Sequence, residues 1–306
     1  MPTPIQAFRS VLLFLFLASP VSADVTIDLG RGPVTVHVPS TYEPGTPSAV
    51  VMLLHGYTSS GPETEAYLQL RPLAEQLGFL YLYPTGSSDF LSNNFWNATD
   101  GCCNFFASNV DDSGYLRDLL DEVASQFTLD PERIFLLGHS NGGFMAHRMA
   151  CDHAGFVSAI VSLAGTTFDD PRTCQPQDLV RVLQIHGTSD ETIDYSGGSL
   201  IGLDSYPGAV ETVETWAAEN LCSLTPDTSL PNIDLEGDLP GPETTVLRYA
   251  DDCPADGRVE LWTIENGPHV PVLSSDFHTL VLDYLFGADG PSLFSDGFES
   301  GNVDAW

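Results

Sequence analysis

Three residues, far apart in the chain, have the types and settings that one chemistry needs. Ser140 stands in Gly138-His139-Ser140-Asn141-Gly142, a G-x-S-x-G pattern that follows the apolar run Ile134 to Leu137 and precedes the helix-like Phe144 to Ala150. Strand, sharp turn and helix in that order lift a hydroxyl clear of a sheet, and the flanking glycines leave room for the turn. On its own the pattern is weak, because a strand-to-helix turn with an incidental serine reads the same way. Asp190 follows a second apolar run, Val180 to Ile185, and His269 follows a third, Val259 to Ile264. A serine hydroxyl becomes a useful nucleophile when an imidazole takes its proton and a carboxylate orients that imidazole. Ser140, Asp190 and His269 lie in the chain order Ser, Asp, His, each after a buried run, and predict acyl transfer with Ser140 as nucleophile, His269 as base and Asp190 as acid. Asp194 and Glu191 are rivals to Asp190 within a few residues. The remaining imidazoles have other expected places: His37 on a strand facing solvent, His139 packed inside, His278 in an amphipathic helix, and His147, His153 and His186 out of reach of Ser140.

The elements that must position these residues can be read in order. Val34 to Val38 alternates like a strand, and Ala49 to Leu54 is a continuous apolar run of the kind parallel sheets bury on both faces. The Gly-containing loop after it, His55 to Gly61, can offer a main-chain N–H to a developing oxyanion. Tyr57 is assigned as that donor and Asn141, next to the nucleophile, as the second, with His55 bracing the loop. Glu63 to Leu77 has helical spacing, and Phe79 to Tyr83 reads as a strand. A long aromatic loop with Trp96, Cys102, Cys103, Phe105 and Phe106 reads as functional rather than as a plain connection. Helices are expected over Asp111 to Phe127, Pro207 to Asn220 and Asp276 to Phe286, and Ser223 to Thr245 as an exposed loop. Strand and helix patterns alternate through most of the chain, which predicts an α/β fold with a mostly parallel central sheet covered by helices on both faces.

Composition narrows the partners. Of 306 residues 42 are Asp or Glu and 10 are Arg, with no Lys, for a net charge of −32. Phosphate backbones and anionic membranes need cations on the protein, so a nucleic-acid partner is excluded. A carboxylate-rich surface predicts a soluble monomer, and beyond that a protein suited to salt, where self-repulsion is screened. Residues 1–23 read as a cleaved leader: Arg9, a short apolar core from Ser10 to Ala18, and the small-residue site Val21-Ser22-Ala23. The core is too short to span a bilayer, so export without a membrane span is expected, to the outside or the periplasm. Residues 24–287 are then the catalytic domain and 288–306 a tail. In an oxidising compartment six cysteines read as disulfides, and six allow 15 pairings. Proximity favours Cys151 with Cys174 and Cys222 with Cys253, which leaves Cys102 and Cys103 for each other. The spacings do not suit a metal site.

The residues from Thr26 to Phe286 resemble the secreted esterases grouped as polyhydroxybutyrate depolymerase-like and feruloyl-esterase-like α/β-hydrolases. The matching pieces are His55-Gly56, Trp96 with Cys102-Cys103, Asp111-Asp112 before a helix, Gly138 to Gly143, and His186-Gly187-Thr188 with Asp190 and Tyr195. The chain departs from the family in having Asp194 before Tyr195 and Gly267-Pro268-His269-Val270-Pro271 around its histidine. The resemblance implies an α/β-hydrolase fold, a Ser140-His269-Asp190 triad, substrate contacts from Trp96 and Tyr195, and no metal or organic cofactor. It implies as partner a carboxylic ester, soluble or polymeric: a plant cell-wall feruloyl ester or a polyester. Alternatives are aromatic polyesters or small esters, a peptidase with the same triad, or a catalytically silent hydrolase fold used for binding.

Overall fold

Apolar runs become the middle of one sheet. The computed structural model describes residues 24–254 and 257–287; the expected leader and tail lie outside the described residues. The strands are β1 (Val25–Ile27), β2 (Val34–His37), β3 (Ser48–Leu54), β4 (Leu80–Leu82), β5 (Ser87–Ser88), β6 (Asn94–Phe95), β7 (Leu129–His139), β8 (Ala159–Leu163), β9 (Arg181–Gly187), β10 (Gly197–Ser199), β11 (Ser205–Pro207), β12 (Thr244–Tyr249) and β13 (Val259–Ile264). The helices are α1 (Gly61–Leu68), α2 (Arg71–Leu77), α3 (Asp112–Gln126), α4 (Asn141–Asp152), α5 (Ala209–Glu219) and α6 (Phe277–Phe286). Nine strands form one sheet in the order β1-β2-β4-β3-β7-β8-β9-β13-β12, and β5-β6 and β10-β11 are small separate hairpins. The six central strands from β4 to β13 run parallel, β2 and β12 flank them antiparallel, and β1 pairs antiparallel with β2 at the edge.

Burial on both faces explains why β3 is apolar without alternation. Val50, Met52 and Leu54 join the core under α3, α4 and α5, which includes Leu116, Phe144, Met145 and Trp216. Val51 and Leu53 face the other way, into a second core with Leu68, Ala74, Phe277 and Val281 from α1, α2 and α6.

Several elements differ from expectation. The helix read over Glu63 to Leu77 is two helices, because a continuous one would drive the Pro72 ring against the Leu68 carbonyl. Gln69 instead turns left-handed at φ 49°, and the Glu65 carboxylate accepts the Arg71 N–H at 2.9 Å and the Leu70 N–H at 3.3 Å. His37 does not face solvent but is buried with Asp24 at 2.9 Å and Glu75 at 3.2 Å. The stretch read as an exposed loop over Ser223 to Thr245 buries Leu235 and Glu236. The Glu236 carboxylate accepts main-chain N–H groups from Asp238, Leu239 and Val272, so the stretch braces the segment that carries His269. The cysteines pair as Cys102–Cys103, Cys151–Cys174 and Cys222–Cys253, and no described cysteine is free. No helix among the described residues is long and apolar enough to cross a membrane.

Candidate active site

Ser140 is the corner between β7 and α4, with φ 55° and ψ −121°. A non-glycine residue at positive φ is strained, and it persists because its surroundings determine it. Here a Cβ on Gly138 would collide with the Gly142 carbonyl, and one on Gly142 would collide with the Leu54 carbonyl of β3. The Ser140 N–H is meanwhile tied to the Leu163 carbonyl at 2.8 Å. Only glycines on both flanks let the corner close this tightly.

The carboxyl ends of three parallel strands meet at this corner. The Ser140 hydroxyl lies 2.9 Å from His269 Nε2, and His269 Nδ1 lies 2.7 Å from Asp190 Oδ2. An ionised carboxylate only accepts, so Nδ1 carries the proton and Nε2 presents its lone pair to the serine O–H. Asp190 Oδ1 accepts the N–H groups of Thr192 and Ile193, each at 2.8 Å. Burial works against the charge on Asp190, yet the hydrogen bonds from His186, His269 and Ile193 and the His269 charge hold its carboxyl well below the usual carboxylate range. Glu191 and Asp194 are exposed, and Asp194 caps its own turn through the Ser196 N–H at 2.7 Å.

The histidine segment is held from several sides. His139 Nε2–H donates to the His269 carbonyl at 3.0 Å, and the Tyr67 hydroxyl donates to the Pro271 carbonyl at 2.7 Å. Burial, together with the adjacent His269, pushes His139 down to about 4 and keeps it neutral for that role. Ser189 N–H donates to the Gly267 carbonyl at 3.0 Å, joining the acid and histidine loops directly.

On the opposite side, the loop after β3 passes close to the serine. A Cβ on Gly56 would stand 3.3 Å from Ser140 Cβ. His55 braces this loop, with Nδ1 donating to the Gly56 carbonyl and Nε2 accepting the Gly86 N–H, both at 2.8 Å. Burial lowers its pKa and favours this neutral form. The main-chain N–H groups of Tyr57 and Asn141 have no acceptor among the described residues. Trp96, expected to touch substrate, is fully buried. Its indole N–H donates to the His55 carbonyl at 3.1 Å, and its main chain exchanges two hydrogen bonds with the Asn141 side chain at 2.7 and 3.0 Å. Trp96 therefore ties the loop after β3 to the serine corner. Tyr195 likewise packs edge-on against His186, with its hydroxyl 2.8 Å from Thr263 Oγ1.

Sequence reasoning missed a buried polar chain behind the acid. The Trp216 indole N–H can only donate, and it donates to His147 Nδ1 at 2.9 Å. His147 Nε2–H must then donate to Gln184 Oε1 at 3.0 Å, and the Gln184 amide donates onward to His186 Nδ1 at 3.3 Å. That leaves His186 Nε2–H to donate to the Ile193 carbonyl at 2.8 Å, with Asp190 Oδ2 at 3.3 Å. One donor-only group fixes the direction of every link, and the chain ends on the Ile193 carbonyl beside the Asp190 oxygen that faces His269. The available signal was His186 four residues before the acid, at the end of the same strand.

A serine corner, an aspartate loop and a histidine loop at the carboxyl ends of a mostly parallel sheet define the α/β-hydrolase architecture. Residues 39–202 match the phospholipase/carboxylesterase family, and the chain belongs to that family. It is similar to feruloyl esterase B of Piromyces equi, 25% identical over 246 residues that cover 77% of this chain and 42% of that one. It is also similar to the poly(3-hydroxybutyrate) depolymerase of Ralstonia pickettii, 30% identical over 120 residues that cover 36% of this chain and 24% of that one. Both matches therefore span less than half of the relative's length. The solved acetyl xylan esterase from Aspergillus awamori shares the fold, with a TM-score of 0.61 at 16% identity over 87% of this chain and 100% of that one.

Proposed function

We propose that the protein is an exported serine esterase that hydrolyses carboxylic esters of the feruloyl or polyhydroxyalkanoate kind through a covalent acyl-enzyme. The observation that carries this reading is the continuous hydrogen-bonded line from the strained Ser140 hydroxyl through His269 to Asp190. His269 removes the serine proton as Oγ attacks the ester carbonyl, and Asp190 stabilises the imidazolium that forms. The Tyr57 and Asn141 N–H groups, without an acceptor among the described residues, receive the oxyanion. His269 then protonates the leaving alcohol, and water repeats the sequence on the acyl-enzyme. The names of the relatives support the substrate class. The leader-like first 23 residues and three disulfides support export.

Ser140→Ala should lower kcat on p-nitrophenyl butyrate by ~10⁶, the scale seen when a triad nucleophile is lost. Retained turnover would remove Ser140 from the mechanism. Labelling of the wild type by a fluorophosphonate separates an enzyme from a silent hydrolase fold. Rates on methyl ferulate and on hydroxybutyrate oligomers decide between the two ester classes.

A further inference from the structure

Two adjacent cysteines form one of the three disulfides, and it cannot act as the other two do. Cys151–Cys174 and Cys222–Cys253 join residues 23 and 31 positions apart, whereas Cys102 and Cys103 are neighbours. A crosslink stabilises a fold mainly by closing a loop of chain, and neighbours close none. Both cysteines are nevertheless buried, at 0% and 4% exposure, in the core that holds Trp96, Ala98 and Tyr206. What this pair fixes is its surroundings.

Cys102 meets the residue that follows Ser140. Asn141 is fully buried, and its side-chain amide has one carbonyl and two N–H groups to place. The carbonyl accepts the Trp96 N–H at 2.7 Å, Nδ2 donates to the Trp96 carbonyl at 3.0 Å, and the same nitrogen lies 3.8 Å from Cys102 Sγ. Trp96 and the disulfide thus meet on one amide. The segment between them is anchored without help from the sulfurs. Arg148 donates to the Asn97 and Ala98 carbonyls, each at 2.9 Å, and the Asp112 carboxylate accepts the Asn97 N–H at 2.7 Å. A Cβ on Gly101 would stand 2.9 Å from both the Ser205 carbonyl oxygen and Tyr206 Cβ. The backbone ahead of Cys102 therefore packs directly against β11 and has no room to shift toward it.

We infer that the Cys102–Cys103 disulfide is a positioning element for the oxyanion: it fixes the Asn141 side chain and, through it, the main-chain N–H that receives the charge. The inference rests on the esterase reading above. An N–H of this kind must be held within about 0.5 Å of its productive place to stabilise a transition state. Asn141 opens α4, where the leading N–H groups have no acceptor within the helix. The direction of its N–H therefore depends on what holds the residue. Two separate thiols would leave the amide one firm partner, Trp96, whereas joined sulfurs act as a single rigid wall.

The test compares Cys102→Ser/Cys103→Ser with Cys151→Ser/Cys174→Ser on p-nitrophenyl butyrate and on its thiono analogue, in which sulfur replaces the carbonyl oxygen. Sulfur accepts hydrogen bonds poorly, so well-aimed donors favour the oxygen ester and displaced donors favour it less. Removing the adjacent pair should lower kcat on the ester at least about tenfold, hold KM within about threefold, and lower the ester-to-thionoester rate ratio at least about fivefold. Its melting temperature should stay within about 3 °C of wild type, while loss of the Cys151–Cys174 bond should lower it by roughly 6 °C or more and leave the ratio unmoved. Cys102→Ala/Cys103→Ala, which buries no hydroxyl, is measured beside the serine variant as a guard against misfolding. In an Asn141→Ala background, removing the adjacent pair should cost less than about twofold, because the path runs through that side chain. Ester and thionoester rates that fall together, or a full further loss in the Asn141→Ala background, overturn the inference. Wild-type protein inactive on both esters removes the esterase reading and the inference with it; an active wild type whose ratio the variants leave unmoved overturns the inference alone.

Discussion

Asp190 is surrounded by donors: Thr192 and Ile193 on one oxygen, His269 and the more distant His186 on the other. Removing one changes the strength of the rest. His186→Leu deletes a group that favours the charged carboxylate, so Asp190 becomes more basic and attracts the His269 imidazolium more strongly. The Asp190–His269 pair is then no longer balanced as in the wild type, and kcat should fall on the order of tenfold. His186→Asn keeps an N–H donor and should recover most of that loss. Equal losses in both variants would make His186 a packing residue only. The residues proposed to act are legible in the sequence because each sits in a short local pattern after an apolar run. The groups behind them are not, since Trp216, His147, Gln184 and His186 come from α5, α4 and β9 and meet only once the sheet is covered. Trp96 misleads for a related reason: loop aromatics reveal size and polarity but not which way they face.

At the scale of elements, the junction of β7 and α4 is the part with least room. Gly142→Ala would place a methyl group against the Leu54 and His55 carbonyls, which cannot retreat without breaking the pairing of β3 with β7. Activity should be lost together with several kcal/mol of stability, as expected of overpacking against backbone. Gly155→Ala is the matched control, because its Cβ would meet nothing within 4 Å, and stability should stay within about 1 kcal/mol of wild type. Urea unfolding of both variants checks the contrast, and similar midpoints would refute the steric account. The central strands were legible because burial on both faces leaves long apolar runs. Edge elements were less so: β1 has three residues, and β12 begins inside a Pro-, Asp- and Gly-rich stretch. The break between α1 and α2 was written at Pro72, but helical spacing on both sides of it masked the interruption.

Charge acts on the whole molecule. The described arginines already have partners: Arg31, Arg71, Arg117, Arg133, Arg148, Arg172, Arg248 and Arg258 each meet a carboxylate, while Arg181 donates to carbonyls at the end of α6. Carboxylates number 42 against 10 guanidinium groups, so most of the negative charge is left without a compensating cation, and the folded state concentrates that repulsion. Raising salt shortens the screening length from about 10 Å at 0.1 M to about 3 Å at 1 M, below the usual spacing of surface charges. The melting temperature should therefore climb by roughly 5 °C or more between 0.05 and 1 M NaCl and then level off, given ~2–4 °C per kcal/mol in a domain of this size. Acid is no substitute for salt in the screened regime. His139 and His147 are buried, and their folded pKa values are pushed down to about 4 from 6.5. Below pH 6.5 the unfolded chain binds protons that the folded one refuses. In 1 M NaCl stability should accordingly fall as pH drops from 6.5 toward 4, by up to about 3 kcal/mol per imidazole. A melting temperature that is flat or falling with NaCl at pH 7 would show that self-repulsion does not limit this fold. A rise in stability on acidification in 1 M NaCl would show instead that the two imidazoles are protonated in the folded state.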